Sequence, residues 1–448
     1  MLKFGTDGVR GEAGSDLSPE VALALGRAAA RVLCAGAHRT VYIGRDPRRS
    51  GALLVAALAA GLTAEGVDVV DVGVVSTPAL AHLASLDGVP AAMVSASHNP
   101  FPDNGIKFFA AGGRKLTDDV EAEIEALLPS PASVPAPTAA DIGTIASGGD
   151  VGRYAEHVLE ALEGRRLTGA SIVLDCANGA GSTVAPSVLS RLGASVRVVA
   201  AEPDGLNIND GCGSTHIERL AAQVAASGAS CGFALDGDAD RCLAVDERGD
   251  VVDGDQLLAI LALDLRSRGL LAEDTVVVTV YSNLGFHHSM RDHDITVVTT
   301  PTGDRYVLDA LDAGGLTLGG EQSGHVIQRH LAATGDGLLT AVCVLDALKR
   351  GGLTMSKAAS IVHRLPQVLL NVRAGGSSAV SLDGLTAVQE EVAAVEAELG
   401  SNGRVLLRTS GTEPLVRIMV EAPTDEAAQA HAGRLAGVVE AALAARAG

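Results

Sequence analysis

The sequence predicts an α/β protein: three similar α/β units with mixed sheets, followed by a smaller C-terminal α+β unit. Three observations support this. A strand, a helix-length stretch, a second strand and a later third apolar segment follow one another in the same order three times. These strands are near-continuous runs of Val, Ile and Leu, the composition of strands covered on both faces. The last part of the chain breaks the order.

The first unit, expected at residues 1–149, has "TVYIGRD" from Thr40 and "GVDVVDVG" from Gly66, and its third apolar run ends in "SASHNP" (Ser95–Pro100). The second, expected at 150–253, has "SIVLDCANG" from Ser171 and "GASVRVVAAEP" from Gly193, and ends its third run in "LDGDADR" (Leu235–Arg241). The third, expected at 254–365, has "TVVVTVYSN" from Thr275 and "DITVVTT" from Asp294, leading to "GGEQSGH" (Gly319–His325). The proline-rich "PSPASVPAP" (Pro129–Pro137) reads as a linker or edge segment. Residues 366–448 differ: "QVLLNVR", a helix around Leu382–Leu399, paired strands in "GRVLLRTSGTEPLVRIMVEA" and a last helix from Asp425 describe a small α+β domain.

At 448 residues the chain exceeds a single core, since a domain usually takes about 100–200 residues. A hydrophobic fraction of 47% with 20% charged residues indicates a folded chain. Aromatics make up 2%, so its cores must be built from Ala, Val, Leu and Ile. The formal net charge of −20, without a basic run, argues against nucleic acid and acidic membranes as partners. Six cysteines without a CxxC pair fit reduced thiols in a cytoplasm, with Cys176, Cys231, Cys242 and Cys343 expected as small core residues. The start "MLKFGTDGVRG" lacks an apolar signal core, and no apolar run approaches the roughly 20 residues that span a bilayer. The expectation is a soluble cytoplasmic protein.

Open α/β sheets place ligands beyond the carboxyl ends of their strands, where the three polar loops fall. In "DGDADR", Asp236, Asp238 and Asp240 put three carboxylates on one turn. Such a cluster repels itself unless a hard cation holds it, and oxygen-only ligands suit Mg²⁺ or Ca²⁺. A calcium EF-hand would need glycine where Arg241 stands, and would have helices where strands are expected, so Mg²⁺ is favoured. A metal-free surface turn is the plain alternative. In "SASHNP", Asn99-Pro100 turns the chain out of helical geometry and leaves Ser97 on a loop with its hydroxyl expected free. No triad and no Gly-x-Ser-x-Gly elbow accompany it, and beside a metal loop Ser97 suits a phosphoryl group. His98 and Lys107 could bind or move protons. "RTSGTEP" (Arg408–Pro414), with Arg417 following, combines small residues with arginine forks, as a phosphate cradle without a Walker lysine. Glu321 and Ser323 suit vicinal sugar hydroxyls.

Taken in order, Ser-Ala-Ser-His-Asn-Pro, Asp-Gly-Asp-x-Asp-Arg, Gly-Glu-x-Ser-Gly-His and Arg-x-Ser-Gly-Thr-Glu-Pro resemble the four loops of the α-D-phosphohexomutase superfamily, over essentially the whole chain. "FGTDGVRG", "NDGCGSTH" (Asn209–His216), Gln322 and "GDRYV" (Gly303–Val307) are most similar to its branch acting on glucosamine phosphates. Relatives acting on glucose or mannose phosphates usually differ at Gln322 and around Asp304-Arg305. Thr302 and Ala333 are small departures.

The resemblance implies four domains around a central cleft, the fourth closing over bound sugar phosphate. It implies interconversion of glucosamine 6-phosphate and glucosamine 1-phosphate, on the route to UDP-N-acetylglucosamine and cell-wall precursors. Ser97 becomes the phosphoserine and, through its phosphate, a ligand of one Mg²⁺ with Asp236, Asp238 and Asp240. Glu321 and Ser323 would hold sugar hydroxyls; Arg408, Ser410, Gly411, Thr412 and Arg417 would grip the non-reacting phosphate. Arg10, Lys107 and Arg241 are expected as cations near the transferring group, and His98, Lys107 and Arg305 as candidate bases. Glucosamine or glucose 1,6-bisphosphate would be intermediate or activator. Members are often homodimers. Rival readings are a phosphoglucomutase or phosphomannomutase, a metal-dependent phosphatase using the same serine, and a non-catalytic sugar-phosphate sensor. The sensor would be expected to have lost the serine or an aspartate, and both are kept here.

Overall fold

The computed structural model describes every residue except 1–3, 6, 37, 129–136, 374–381, 383–384, 410–414 and 448. Most of the proline-rich segment therefore lies outside the described residues. The chain forms two compact units: residues 1–281 with 294–361, and residues 282–293 with 362–448.

The larger unit holds three sheets. The first contains β1 (Val9–Glu12), β2 (Thr40–Arg45), β3 (Asp68–Val74), β4 (Ala91–Val94), β5 (Asp103–Ala110), β6 (Arg114–Lys115) and β7 (Ile145–Ser147), in the order β1-β5-β4-β2-β3-β7 with β6 beside β5. The second contains β8 (Ser171–Asp175), β9 (Ser195–Val199), β10 (Cys231–Leu235), β11 (Cys242–Asp246) and β12 (Val251–Val252), in the order β12-β11-β10-β8-β9. The third contains β13 (Thr275–Thr279), β14 (Thr296–Thr300), β15 (Leu318–Gly320) and β16 (Val326–Gln328), in the order β14-β13-β15-β16.

One plan recurs in all three. Parallel strands β3-β2-β4, β9-β8-β10 and β14-β13-β15 are each capped by an antiparallel neighbour, β5, β11 or β16. The turn from the last parallel strand into that neighbour is, in order, the serine loop, the aspartate loop and the Glu321 loop. The repeat read from the sequence is thus a repeat of topology, and its three odd loops are equivalent.

With few aromatics, the core relies on close backbone approach. Helices Pro19–Leu33 and Gly51–Thr63 pack where Gly26 faces Gly61: a Cβ on Gly26 would lie 2.3 Å from the Leu58 carbonyl oxygen, and one on Gly61 2.2 Å from that of Leu23. Cys176, Cys231 and Cys242 are buried as expected, and Cys212 joins them, whereas Cys343 is only partly covered. No helix of the described residues is long and apolar enough to cross a membrane.

The smaller unit is built on a three-stranded antiparallel sheet, β17 (Gln367–Arg373), β18 (Arg404–Thr409) and β19 (Leu415–Glu421), ordered β17-β19-β18. Helices Thr386–Leu399 and Asp425–Ala447 supply the rest of its core, with Val388, Val395, Ala428, Leu435 and Val439 buried against Val416, Ile418 and Val420. Helix Leu284–Asp292 belongs here although it follows β13 in the chain. Asn283 exchanges hydrogen bonds with the Leu365 backbone, the Leu284 N–H donates to Glu421, and Arg404 ties Glu421 to the Ser282 carbonyl.

Candidate active site

The serine loop is held from all sides. β4 ends at Val94, and Ser97 follows in the left-handed region at φ 51°, a conformation a serine keeps only when its surroundings impose it. Its N–H donates to Ser95 Oγ at 2.9 Å, and Ser95 donates to Asp46 Oδ2 at 2.6 Å. The Arg48 guanidinium donates to the carbonyls of Ser97, Asn99, Pro100 and Asp103, and its Nε to Asp46 at 2.8 Å. From the second sheet's side, Asn209 Nδ2 donates to the carbonyls of Ser97 and Asn99 at 2.9 and 3.0 Å.

The hydroxyl expected to be free is not. Ser97 is 1% exposed, and its Oγ donates to Asp236 Oδ2 at 2.5 Å. His98 Nδ1 lies 3.2 Å from the same oxygen. Burial, and then the neighbouring Arg241 and Arg10 cations, push the His98 pKa down to about 4, so its ring is neutral at pH 7.

The aspartate loop turns tightly between β10 and β11. Asp236, Asp238 and Asp240 are all buried, and one carboxylate oxygen of each lies within 4.8 Å of the others. Gly237 allows the close approach: a Cβ there would sit 2.5 Å from the Ser97 carbonyl oxygen. Asp238 Oδ2 accepts from Thr77 at 2.6 Å and from Lys107 Nζ at 2.7 Å. Asp238 Oδ1 and Asp240 Oδ1 are buried without a hydrogen-bond donor. Burial, then repulsion from Asp240 and Asp238, raises the Asp236 pKa well above the usual carboxylate value. Crowded, undersatisfied, all-oxygen donors of this kind fit a hard divalent cation.

Lys107, on β5, belongs to a ring of alternating charge. It lies 3.4 Å from Asp240 and 3.8 Å from Asp7; Asp7 pairs with Lys115 at 2.6 Å and Lys115 with Asp304 at 2.5 Å. His325 closes the ring, 3.2 Å from Asp304 and 3.7 Å from Asp240. Burial alone would lower the His325 pKa, but the two flanking carboxylates push it up to about 9. The Gly335 N–H, 3.2 Å from Nε2, favours the neutral ring instead; two carboxylates outweigh one amide. For Lys107, burial is likewise outweighed by Asp238, Asp7 and Asp240, which keep it charged.

Of the other expected residues, Arg10 pairs with Asp7, and Arg241, beside Asp240, is kept charged against burial by Asp240 and Asp236. Arg305 is turned to Glu121 at 2.7 Å and to Asp118 on helix Asp118–Leu127. Ser323 Oγ donates to Glu321 at 3.1 Å, and both remain partly exposed. The Glu321 loop is fastened by Cys242 N–H to the Gly324 carbonyl and Gly254 N–H to that of Gln322. In the smaller unit, Arg408 and Arg417 are directly opposed across β18 and β19. Ser410, Gly411 and Thr412 lie outside the described residues.

Comparison with known proteins gives the chain's family and bears out its fold. The phosphoglucomutase/phosphomannomutase alpha/beta/alpha domains I, II and III match residues 1–133, 152–249 and 253–365, and the C-terminal domain of the same enzymes matches 369–438. The chain belongs to this family. Among similar proteins, a phosphoglucosamine mutase from Frankia alni is 54% identical, with 98% of each chain covered. One from Rhodococcus jostii is 52% identical, covering 97% of this chain and 98% of its own. A solved phosphoglucomutase/phosphomannomutase family protein from Burkholderia thailandensis superposes with a TM-score of 0.81 at 26% identity, covering 98% of this chain and 97% of that one. An Aspergillus fumigatus N-acetylphosphoglucosamine mutase, solved with GlcNAc-6P and magnesium, shares the fold at TM-score 0.70 and 20% identity, with 99% and 96% covered.

Several residues at this candidate site escape sequence reading. Arg48 and Asp46 sit in "GRDPRRS", which reads as a charged surface turn, and Thr77 looks like an ordinary polar residue; Asn209 stands in the motif "NDGCGSTH", but its grip on the serine loop is not legible there. Asp7, Lys115 and Asp304 lie far apart in the chain and meet only in the folded unit. A lone aspartate among glycines in "FGTDGVRG" was the available signal for Asp7.

Proposed function

We infer that the protein interconverts glucosamine 6-phosphate and glucosamine 1-phosphate, carrying the phosphoryl group on Ser97. The observation that carries this reading is the 2.5 Å contact between Ser97 Oγ and Asp236, inside a buried aspartate trio with two oxygens still lacking a donor. A hydroxyl and a cation-ready cluster are thereby brought to one point. The choice of an amino sugar over a neutral hexose is supported by relatives named phosphoglucosamine mutase over nearly the full chain.

Asp236, Asp238 and Asp240 would hold Mg²⁺ together with a phosphate oxygen on Ser97. When bound, that ion supplies positive charge against the phosphoserine, which carries about 1.5–2 negative charges. In the transfer, a sugar hydroxyl at C1 or C6 attacks phosphorus, the Oγ–P bond breaks, and the sugar hydroxyl's proton ends on Ser97 Oγ, which is left as the serine hydroxyl that donates to Asp236. The resulting sugar 1,6-bisphosphate turns over, and its other phosphate returns to Ser97. Phosphoryl transfer is mainly alignment and charge stabilisation, which suits a site of fixed cations. Lys107, Arg241 and Arg10 would bind the equatorial phosphate oxygens. Lys107 stays charged and donates hydrogen bonds, and Arg305 is engaged by two carboxylates. Neutral His98 fixes the rotor of the Ser97 hydroxyl. Glu321 and Ser323 would accept and donate hydrogen bonds to ring hydroxyls. Arg408 and Arg417, with the 410–412 backbone, would grip the phosphate that is not reacting.

Coupled assays with glucosamine, glucose and mannose 6-phosphates test the reading. The amino sugar should turn over fastest, Ser97→Ala should lose at least about 10³-fold in kcat, and intact mass should show one phosphate that this variant lacks. Faster turnover of a neutral hexose phosphate would move the assignment to a phosphoglucomutase or phosphomannomutase. Steady release of inorganic phosphate without isomerisation would make the protein a phosphatase.

A further inference from the structure

We propose that Arg48 is the positioning residue of the reaction: the Asp46–Arg48 pair, acting through Ser95, fixes the backbone of Ser97 so that its oxygen faces the aspartate trio. This rests on Ser97 as phosphoryl carrier.

An arginine side chain has five N–H donors in a rigid fork, and Arg48 uses all five on this loop and its anchor. Nε reaches Asp46, Nη1 the carbonyls of Pro100 and Asp103, and Nη2 those of Ser97 and Asn99. Its counter-ion Asp46 holds the other end of the same residue, since Ser95 Oγ donates to Asp46 and accepts from the Ser97 N–H. One ion pair therefore controls both backbone polar groups of Ser97. Both side chains are 0% exposed.

Two arguments separate this from ordinary packing. A fully desolvated ion pair is poor value for stability, because well-packed apolar residues commonly do as well. Its burial here fits a requirement for geometry. The geometry required is also unfavourable by itself: Ser97 at φ 51° lies in the region glycine enters freely and serine does not. Glycine carries no hydroxyl, so the strain has to be overcome by hydrogen bonds: Arg48 Nη2 and Asn209 Nδ2 make four to the carbonyls of Ser97 and Asn99, and Ser95 Oγ accepts from the Ser97 N–H. A relaxed Ser97 would swing its oxygen away from Asp236 and out of line with a phosphorus atom.

Arg48→Lys keeps the charge and loses the fork, Arg48→Met loses both, and Ser95→Ala removes the hydroxyl that joins Asp46 to the Ser97 N–H while leaving the Arg48 fork in place. All three are read by kcat and KM, by cooperative melting, and by intact mass after incubation with glucose 1,6-bisphosphate. We expect kcat to fall about 10²-fold in Arg48→Lys and further in Arg48→Met, as for a misplacement of about 1 Å. Ser95→Ala should lose about tenfold. KM for the sugar phosphate should move less than about threefold, and Ser97 should be phosphorylated more slowly. If Arg48→Met does not fold, Ser95→Ala and Arg48→Lys still decide. A folded Arg48→Lys and Ser95→Ala that both keep kcat within about threefold, while Ser97→Ala is inactive, overturn the role of Arg48 alone. Activity surviving in Ser97→Ala overturns the underlying reading.

Discussion

The serine loop and the aspartate loop occupy equivalent turns of two equivalent sheets, yet they are built on opposite principles. The serine loop is saturated: four guanidinium donors and an asparagine amide fix its carbonyls, and a serine hydroxyl accepts from its one critical N–H. The aspartate loop is left short, with three buried carboxylates, two oxygens without a donor and a raised Asp236 pKa. One loop is finished by the protein and holds an atom in place. The other has the unsatisfied oxygens that a cation could complete. Identical topology thus carries a positioning element and a binding element, and hydrogen-bond accounting tells them apart.

The largest effect that tests this contrast is a split between activity and stability. Asp236→Asn should lose at least about 10³-fold in kcat, since both the charge on the trio and the partner of Ser97 change. The metal-free variant should melt no lower than wild type, because burial and like charges disfavour the ionised Asp236. Mg²⁺ should raise the wild-type midpoint and leave that of the variant unmoved. Arg48→Met should do the reverse to stability, at a cost of about 3–5 kcal/mol for orphaning a buried charge. A metal-free Asp236→Asn that is clearly less stable would show that the trio satisfies itself, and the contrast would be lost.

Next in size is the seam between the two loops. Gly237→Ala would place a methyl 2.5 Å from the Ser97 carbonyl oxygen, so one loop must withdraw. Turnover should fall about 10²-fold, with metal-dependent stabilisation retained. Loss of the Mg²⁺ response instead would mean that the aspartate loop, not the serine loop, is the one that yields.

A smaller effect is expected from the charge ring. Lys115→Met leaves Asp7 with Arg10 and Lys107 and leaves Asp304 with His325, so the ring opens without stranding any one carboxylate. Turnover should drop about tenfold and stability by about 1 kcal/mol, since the three side chains are partly exposed and no charge is left alone. Lys115→Arg should recover most of both, and no recovery would mean that the site needs an ammonium at that point rather than a charge.

The contrast also marks what a sequence reveals. Binding elements are legible because their chemistry is concentrated: three aspartates on one turn, or Ser-His-Asn-Pro after an apolar run, stand out without a fold. The threefold strand order was legible for the same reason, each strand being a contiguous run. Positioning is not concentrated. Arg45, Arg48 and Arg49 look alike in sequence, and only packing shows that Arg48 is the one fully buried against Asp46. Lys115 and Asp304 are brought together by sheets folded separately. Helix Leu284–Asp292 follows a strand of the third sheet and nonetheless packs with the last unit, through Asn283 and Glu421. The free hydroxyl expected at Ser97 failed on the same point, since a loop position says nothing of what lies across it.

The smallest expected effect is on pH dependence, and it separates the hydroxyl's neighbours from its partners. His98 has its pKa pushed down to about 4 by burial, then by Arg241 and Arg10. In the unfolded chain the same ring titrates near 6.5. Between those values the unfolded state binds more protons than the folded one, so stability rises with pH and is lost as pH falls from about 6.5 toward 4. His82 and His287 are pushed down to about 4 by burial as well, with the same sign. His98→Gln should therefore reduce the drop in melting midpoint between pH 7 and pH 5 without removing it. At pH 7 its ring is neutral and 3.2 Å from Ser97 Oγ, a hydrogen bond and not a charge. Losing that bond should cost less than about tenfold in kcat. A loss as large as that of Asp236→Asn would instead make His98 a proton acceptor, and the serine loop would then contribute chemistry as well as position.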